Sequence, residues 1–154
     1  MQTAQLTIFD MRNLIDNKDA QRLISEWKMH GKIIVAVDYD DTIRPWKFKT
    51  QEECDAVIAV LRLAIEVGVY IVIDTACNTD RYPEIRAYCA EKGLKVDSIN
   101  VNPIELPYGN QGRAYANIFI NDRAGLELAL EILEFAAYTM RSYKHSSSEQ
   151  TVEF

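Results

Sequence analysis

The 154-residue sequence holds only three cysteines, Cys54, Cys77 and Cys89. Their number is odd and their spacing fits no zinc motif, which excludes a disulfide framework and a cysteine-held metal. Reduced, half-buried thiols of this kind suit a cytoplasmic protein. Histidine is scarcer still: His30 and His145 stand far apart, so a two-histidine metal centre is not expected. With six glycines and four prolines, the chain is neither fibrous nor of low complexity. No apolar run approaches the ~20 residues that span a bilayer. The start, MQTAQLTIFDMRN, lacks the basic and then apolar pattern of a secretory leader. The expectation is a cytoplasmic protein with no membrane partner. Positive charge is also in deficit. Seventeen Lys and Arg against 23 Asp and Glu leave a net charge of −6, which argues against bulk nucleic-acid binding but leaves a local basic patch open.

What the chain does have is apolar content, 48% of its residues, in short runs. IIVAV at Ile33–Val37 and VYIVI at Val69–Ile73 are continuous and β-branched, as buried parallel strands are. VDSINV at 96–101 alternates more weakly, and Ile118–Ile120 is brief. Between them the apolar residues recur at helical spacing: Cys54, Val57, Ile58, Leu61 and Ile65, stopped by Gly68; then Ile85, Tyr88 and Cys89, started by Thr79 or Asp80 and stopped by Gly93. Leu126, Ala129, Leu130, Leu133 and Ala137 mark a last helix, and Ala20, Leu23, Ile24 and Trp27 an earlier one ending near Gly31. Alternating strands and helices imply an α/β fold with a parallel sheet and helices on both faces. The organisation expected is an N-terminal extension over 1–31, an α/β domain over 32–140, and a frayed tail over 141–154, where Ser146, Ser147 and Ser148 cluster. Thr7–Phe9 is a candidate extra edge strand, and 102–114 reads as a loop.

In open α/β sheets, ligands collect at the carboxyl ends of the strands. The first run is followed by Asp38, Tyr39, Asp40, Asp41 and Thr42; the second by Asp74 and Thr75; the fourth by Asn121 and Asp122. Acids gathered on one rim repel one another unless a cation offsets them, and oxygen-only ligands suit Mg²⁺. In an extended segment Asp38 and Asp40 face the same way. One can stay ionised as a nucleophile while the other carries a proton as general acid and base. Asp41 and Thr42 are turn formers by type.

IIVAVDYDDTI resembles the first motif of the haloacid dehalogenase superfamily: an apolar strand, Asp-x-Asp-x-Thr, then an apolar residue. VYIVIDT is similar to its second motif, and NIFINDR to its last. The resemblance spans about residues 32–135, with the motifs in order, and is greatest to small phage and bacterial members that lack a separate cap domain. The Asp-Arg ending is also similar to that of phosphatases acting on polynucleotide ends. The resemblance implies a three-layer Rossmann-like sheet and a Mg²⁺-dependent phosphatase. In it Asp38 forms the aspartyl phosphate. Asp40 protonates the leaving oxygen, and its backbone carbonyl binds Mg²⁺. Thr75 bonds a phosphoryl oxygen. Asp122 completes a metal site shared by Asp38, Asp40 and Asn121. Asp41, Thr42, Trp46, Lys47, Ala76 and Asn78 are the expected substrate contacts.

Two departures stand out. Asn121 replaces an acid or glycine and brings no charge. No Lys lies between Val96 and Asp122 to serve as the third-motif cation, so Arg113 is the expected substitute, with Arg81 and Arg123 behind it. Arg44, Pro45, Trp46, Lys47, Phe48 and Lys49 form a cationic, aromatic segment that the resemblance makes a flap beside the site. Its aromatics either stack on a base or pack down under the Lys stems. Tyr108, Tyr115 and Cys77 flank the same region, with packing as the simpler role. The segments after Thr42 and after Thr75 are too short for a lid domain. An open site suits a macromolecular phosphate such as a nucleic-acid end, or a phosphorylated small molecule enclosed by loops or a partner subunit. The outer side of the 19–30 helix leaves room for a homo-oligomer that nothing in the sequence demands. The competing expectation is a catalytically degenerate binding or regulatory protein on the same fold.

Overall fold

The structure, a computed structural model, describes residues 14–107 and 115–150. Thr7–Phe9, Tyr108 and Arg113 lie outside the described residues. Helix α1 spans Lys18–His30, strand β1 Ile33–Val37, helix α2 Gln51–Val67 and strand β2 Val69–Ile73. A 3₁₀ turn at Thr79–Arg81 leads into helix α3, Tyr82–Glu91. Strand β3 is Ser98–Ile99, β4 is Ile118–Ile120, and helix α4 is Leu126–Gln150.

Helix starts and stops follow side-chain chemistry. Asn17 Oδ1 accepts the Ala20 N–H to start α1, and Gly31 ends it at φ +74°, a conformation that favours glycine. Thr50 and Glu53 form a reciprocal capping box at the head of α2. Among the described residues four strands form one parallel sheet in the order β3-β2-β1-β4, with Ile33 opposite Val69 and Val35 opposite Ile118. The fold is α/β with a sheet flanked by helices, in a Rossmann-like arrangement. The odd-numbered residues Ile33, Val35, Val37, Ile71 and Ile73 join one large core with Leu61, Ile85, Leu133 and Met140 from the helices. On the other face Ile34 and Val72 pack with Leu106, Tyr115 and Ala116 of the connection into β4. That alternation is the pleat expressed as two clusters.

Residues 18–30 form an integral layer of the domain. Ala20, Leu23 and Trp27 lie in the main core, and Asn117 ties Glu26 of α1 to the Ile34 N–H of β1. The frayed tail expected from residue 141 is replaced by helix up to Gln150. No Pro or Gly interrupts this stretch, and Ser148 Oγ donates back to the His145 carbonyl rather than breaking the helix. Lys144 Nζ donates to the carbonyls of Gly31 and Val67, at 2.7 and 2.6 Å, fastening α4 to the ends of α1 and α2. Strand β3 is shorter than the 96–101 run. The Asp97 carboxylate takes the Ile71 N–H in place of a backbone carbonyl, and Asn100 leaves the strand at φ +58°. No helix among the described residues is long and apolar enough to cross a membrane.

Candidate active site

The chain steps outward from β1 to β2 to β3, then returns to the other side of β1 as β4. The carboxyl ends of β1 and β4 therefore border the point where strand order reverses, the place where such sheets open a crevice. A cleft of about 930 Å³ lies there, lined by the segments after β1, β2 and β4. The ladder carries each acid to the rim: Asp38 N–H donates to the Ile120 carbonyl and Asp74 N–H to that of Val37, at 2.9 and 2.8 Å.

Asp38 and Asp122 converge. Thr42 Oγ1 lies 3.2 Å from Asp38 Oδ2 and 3.4 Å from Asp122 Oδ1, and it accepts the Asp122 N–H at 3.1 Å. Burial, with the Asp122 carboxylate beside it, pushes the Asp38 carboxyl up to about 7. Thr42, only 1% exposed, is spent on bridging the two acids, so the expected substrate contact there is corrected to a positioning role. Asp41 is corrected likewise. It is 4% exposed, and its carboxylate accepts the N–H groups of Trp46, Lys47, Phe48 and Lys49 at 3.0 to 3.3 Å. Burial alone would raise its pKa, but those four donors outweigh it and hold the carboxyl below its usual range. Its φ of +58° is uncommon for a non-glycine residue and marks a turn fixed by this hydrogen bonding.

The Asp40 side chain is held by two guanidiniums. Arg81 reaches it at 3.0 and 3.3 Å, and Arg44 at 3.3 Å. Arg81 lines the cleft, a cation from the turn before α3; Arg113, to which the sequence pointed first, lies outside the described residues. Thr75 and Ala76 line the cleft; Asn78 does not, sitting exposed at the start of the 3₁₀ turn. Asn121 lines it, and its Oδ1 accepts the Arg123 N–H at 2.9 Å, a turn-forming bond that uses one of the two lone pairs of that oxygen. Trp46 and Phe48 are 58% and 85% exposed, so the packed-down alternative does not hold; Lys47 Nζ instead sits 4.2 Å from the Trp46 ring centre.

One residue escaped the sequence reading. Asn100 accepts the Thr75 N–H and donates to the Thr75 carbonyl and to Tyr82 Oη, each at 2.8 Å. It fixes the backbone that carries Thr75. Its signal was a polar residue leaving a weak strand, as at the ends of the other three.

As a donor set, the site offers two facing carboxylates and nearby backbone carbonyls. No cluster of three or more His, Cys, Asp or Glu suited to a metal occurs among the described residues. Two carboxylates with carbonyl oxygens beside them are donors of the kind a hard divalent cation takes. No family model matches the chain, and no curated protein matches it. Among solved structures, it is similar to a conserved protein of Bacteroides thetaiotaomicron, at 23% identity and a TM-score of 0.48, over 60% of this chain and 77% of that one.

Proposed function

We propose that the protein is a Mg²⁺-dependent phosphohydrolase of the haloacid dehalogenase type that cleaves phosphomonoesters through an aspartyl phosphate on Asp38. The observation that carries the reading is the meeting of Asp38 and Asp122, from two strands, on one buried hydroxyl. Two carboxylates facing each other in a half-buried cleft are poised for a cation. The chemistry Mg²⁺ supplies when bound is neutralisation of phosphoryl charge, and Asp38, Asp122 and the Asp40 carbonyl are the groups that would hold it.

An Asp38 oxygen attacks phosphorus in line with the ester oxygen. The new O–P bond forms as the ester P–O bond breaks, and Asp40 gives its proton to the departing alkoxide. Water then attacks the acyl phosphate, Asp40 takes its proton, and inorganic phosphate leaves with Asp38 restored. Thr75 donates a hydrogen bond to a phosphoryl oxygen. In the present arrangement Arg81 and Arg44 occupy the Asp40 carboxylate. A phosphoryl dianion competes for Arg81, and its transfer to substrate leaves Asp40 paired with Arg44 alone, on one oxygen, with Oδ2 open for proton work.

Asp38→Asn is expected to abolish Mg²⁺-dependent turnover of an aryl phosphate while leaving the far-ultraviolet circular dichroism unchanged. Full activity in that variant removes Asp38 as nucleophile. A binding or regulatory role on the same scaffold is favoured by one observation, the engagement of Asp40 by two arginines. Calorimetry separates the two: no heat of binding near millimolar Mg²⁺ supports that second reading.

A further inference from the structure

The Arg44 to Lys49 flap carries features that phosphate chemistry alone does not need. Single exposed apolar residues are ordinary on protein surfaces. Here two large aromatics, Trp46 and Phe48, stand within three residues on the lip of the cleft that holds Asp38. Their backbone is not loose. The buried Asp41 carboxylate binds four successive amides under them, and the Asp41 N–H donates to the Arg44 carbonyl at 2.8 Å. The chain thus spends a buried charge and an unusual backbone angle on holding exposed rings in place. Fixed aromatic surface is what lowers the entropy cost of stacking a planar group. The flap is also cationic in an acidic protein. Arg44 pairs with Asp40 and Lys49 with Glu53, but among the described residues Lys47 has no carboxylate partner and lies over Trp46.

We propose that the flap is a stacking platform for the base of a nucleotide whose phosphomonoester lies at Asp38. This rests on the phosphohydrolase reading of the cleft. A nucleotide joins the two groups the cleft is equipped for, a planar π-system and an anion. A cleft of about 930 Å³ has the volume of sites that enclose a whole small molecule rather than a phosphate alone. The base stacks on Trp46 and Phe48, and Lys47 meets a phosphate oxygen. The ligand is a free nucleotide or the end of a strand, which share this chemistry.

The test uses the full chain with Asp38→Asn, so that ligand is bound and not consumed. The sequence has two tryptophans, and Trp27 is fully buried, so quenching of red-edge-excited emission reports on Trp46. Nucleoside monophosphates, an end-phosphorylated oligonucleotide, ribose phosphate and a phosphotyrosine peptide are titrated with Mg²⁺ and followed by fluorescence and calorimetry. The expected result is saturable quenching by both nucleotide ligands, with ribose phosphate bound at least about tenfold more weakly. Tighter binding of the oligonucleotide assigns the strand end; equal binding assigns the free nucleotide. Adding Phe48→Ala weakens nucleotide binding about fivefold or more, the range of base–aromatic stacking. Ribose phosphate bound as tightly as the nucleotides, or a preference for the phosphotyrosine peptide, overturns the proposal. The wild-type chain keeps the two readings apart. Release of phosphate from ribose phosphate without nucleotide binding ends the platform alone. Nucleotide quenching with no Mg²⁺-dependent phosphate release from any ligand ends the phosphohydrolase reading and leaves the platform.

Discussion

Asp41 and Asp38, three positions apart, are shifted in opposite directions by opposite surroundings. Asp41 faces four N–H donors, so its folded pKa is depressed. Its contribution to stability is present above the unfolded carboxylate range and is lost as pH falls through the lower folded value. Asp41→Ala strands the four amides and is expected to cost about 2–3 kcal/mol in urea denaturation. Asp41→Asn is expected to flatten the acid limb of the stability profile. Asp38 faces burial and Asp122, so its folded pKa is raised to about 7. Between the unfolded value and about 7 the folded chain binds more protons than the unfolded one. Metal-free stability therefore falls across that window as pH rises. Mg²⁺ should raise the melting temperature more at pH 8, above the Asp38 value of about 7, than at pH 5, below it. Asp38→Asn should remove most of the difference. Equal Mg²⁺ effects at both pH values, measured by scanning calorimetry, would dissociate the cation from this carboxylate. Asn100→Ala lets the Thr75 backbone drift and is expected to lower kcat about tenfold with little change in KM.

At the scale of elements, stops and starts were more legible than lengths. Gly31 and Gly68 closed their helices where the apolar spacing ended, because a terminating glycine is local chemistry. The extent of α4 was not local. Its last turns hang on Lys144, whose partners Gly31 and Val67 are distant in sequence. Gly68 sits under that lysine at φ +129°, where an added Cβ would lie 2.9 Å from Lys144 Nζ and 3.2 Å from the Gly31 carbonyl. Gly68→Ala and Lys144→Ala are each expected to destabilise by about 1–2 kcal/mol in thermal unfolding. The pair should cost less than the sum, since both loosen one joint. The site followed the same division. Asp38 and Asp122 could be placed on one rim because both follow apolar strands. Asn100 and Arg81 could not, because the Asn100–Thr75 and Arg81–Asp40 contacts exist only once β3 and the turn before α3 are laid against the sheet.

For the molecule as a whole, the sheet order decides where chemistry can occur. Had β4 been added beyond β3 instead of beside β1, Asp122 and Asp38 would have two strands between them and share no hydroxyl. The flap has a kinetic consequence of its own. It is moored at Asp41 along its length and runs into the capped head of α2, so swinging it shut over the cleft would mean tearing out the hydrogen bonds beneath it. Among the described residues the flap therefore supplies no gate, and a molecule seated against it would leave by diffusion.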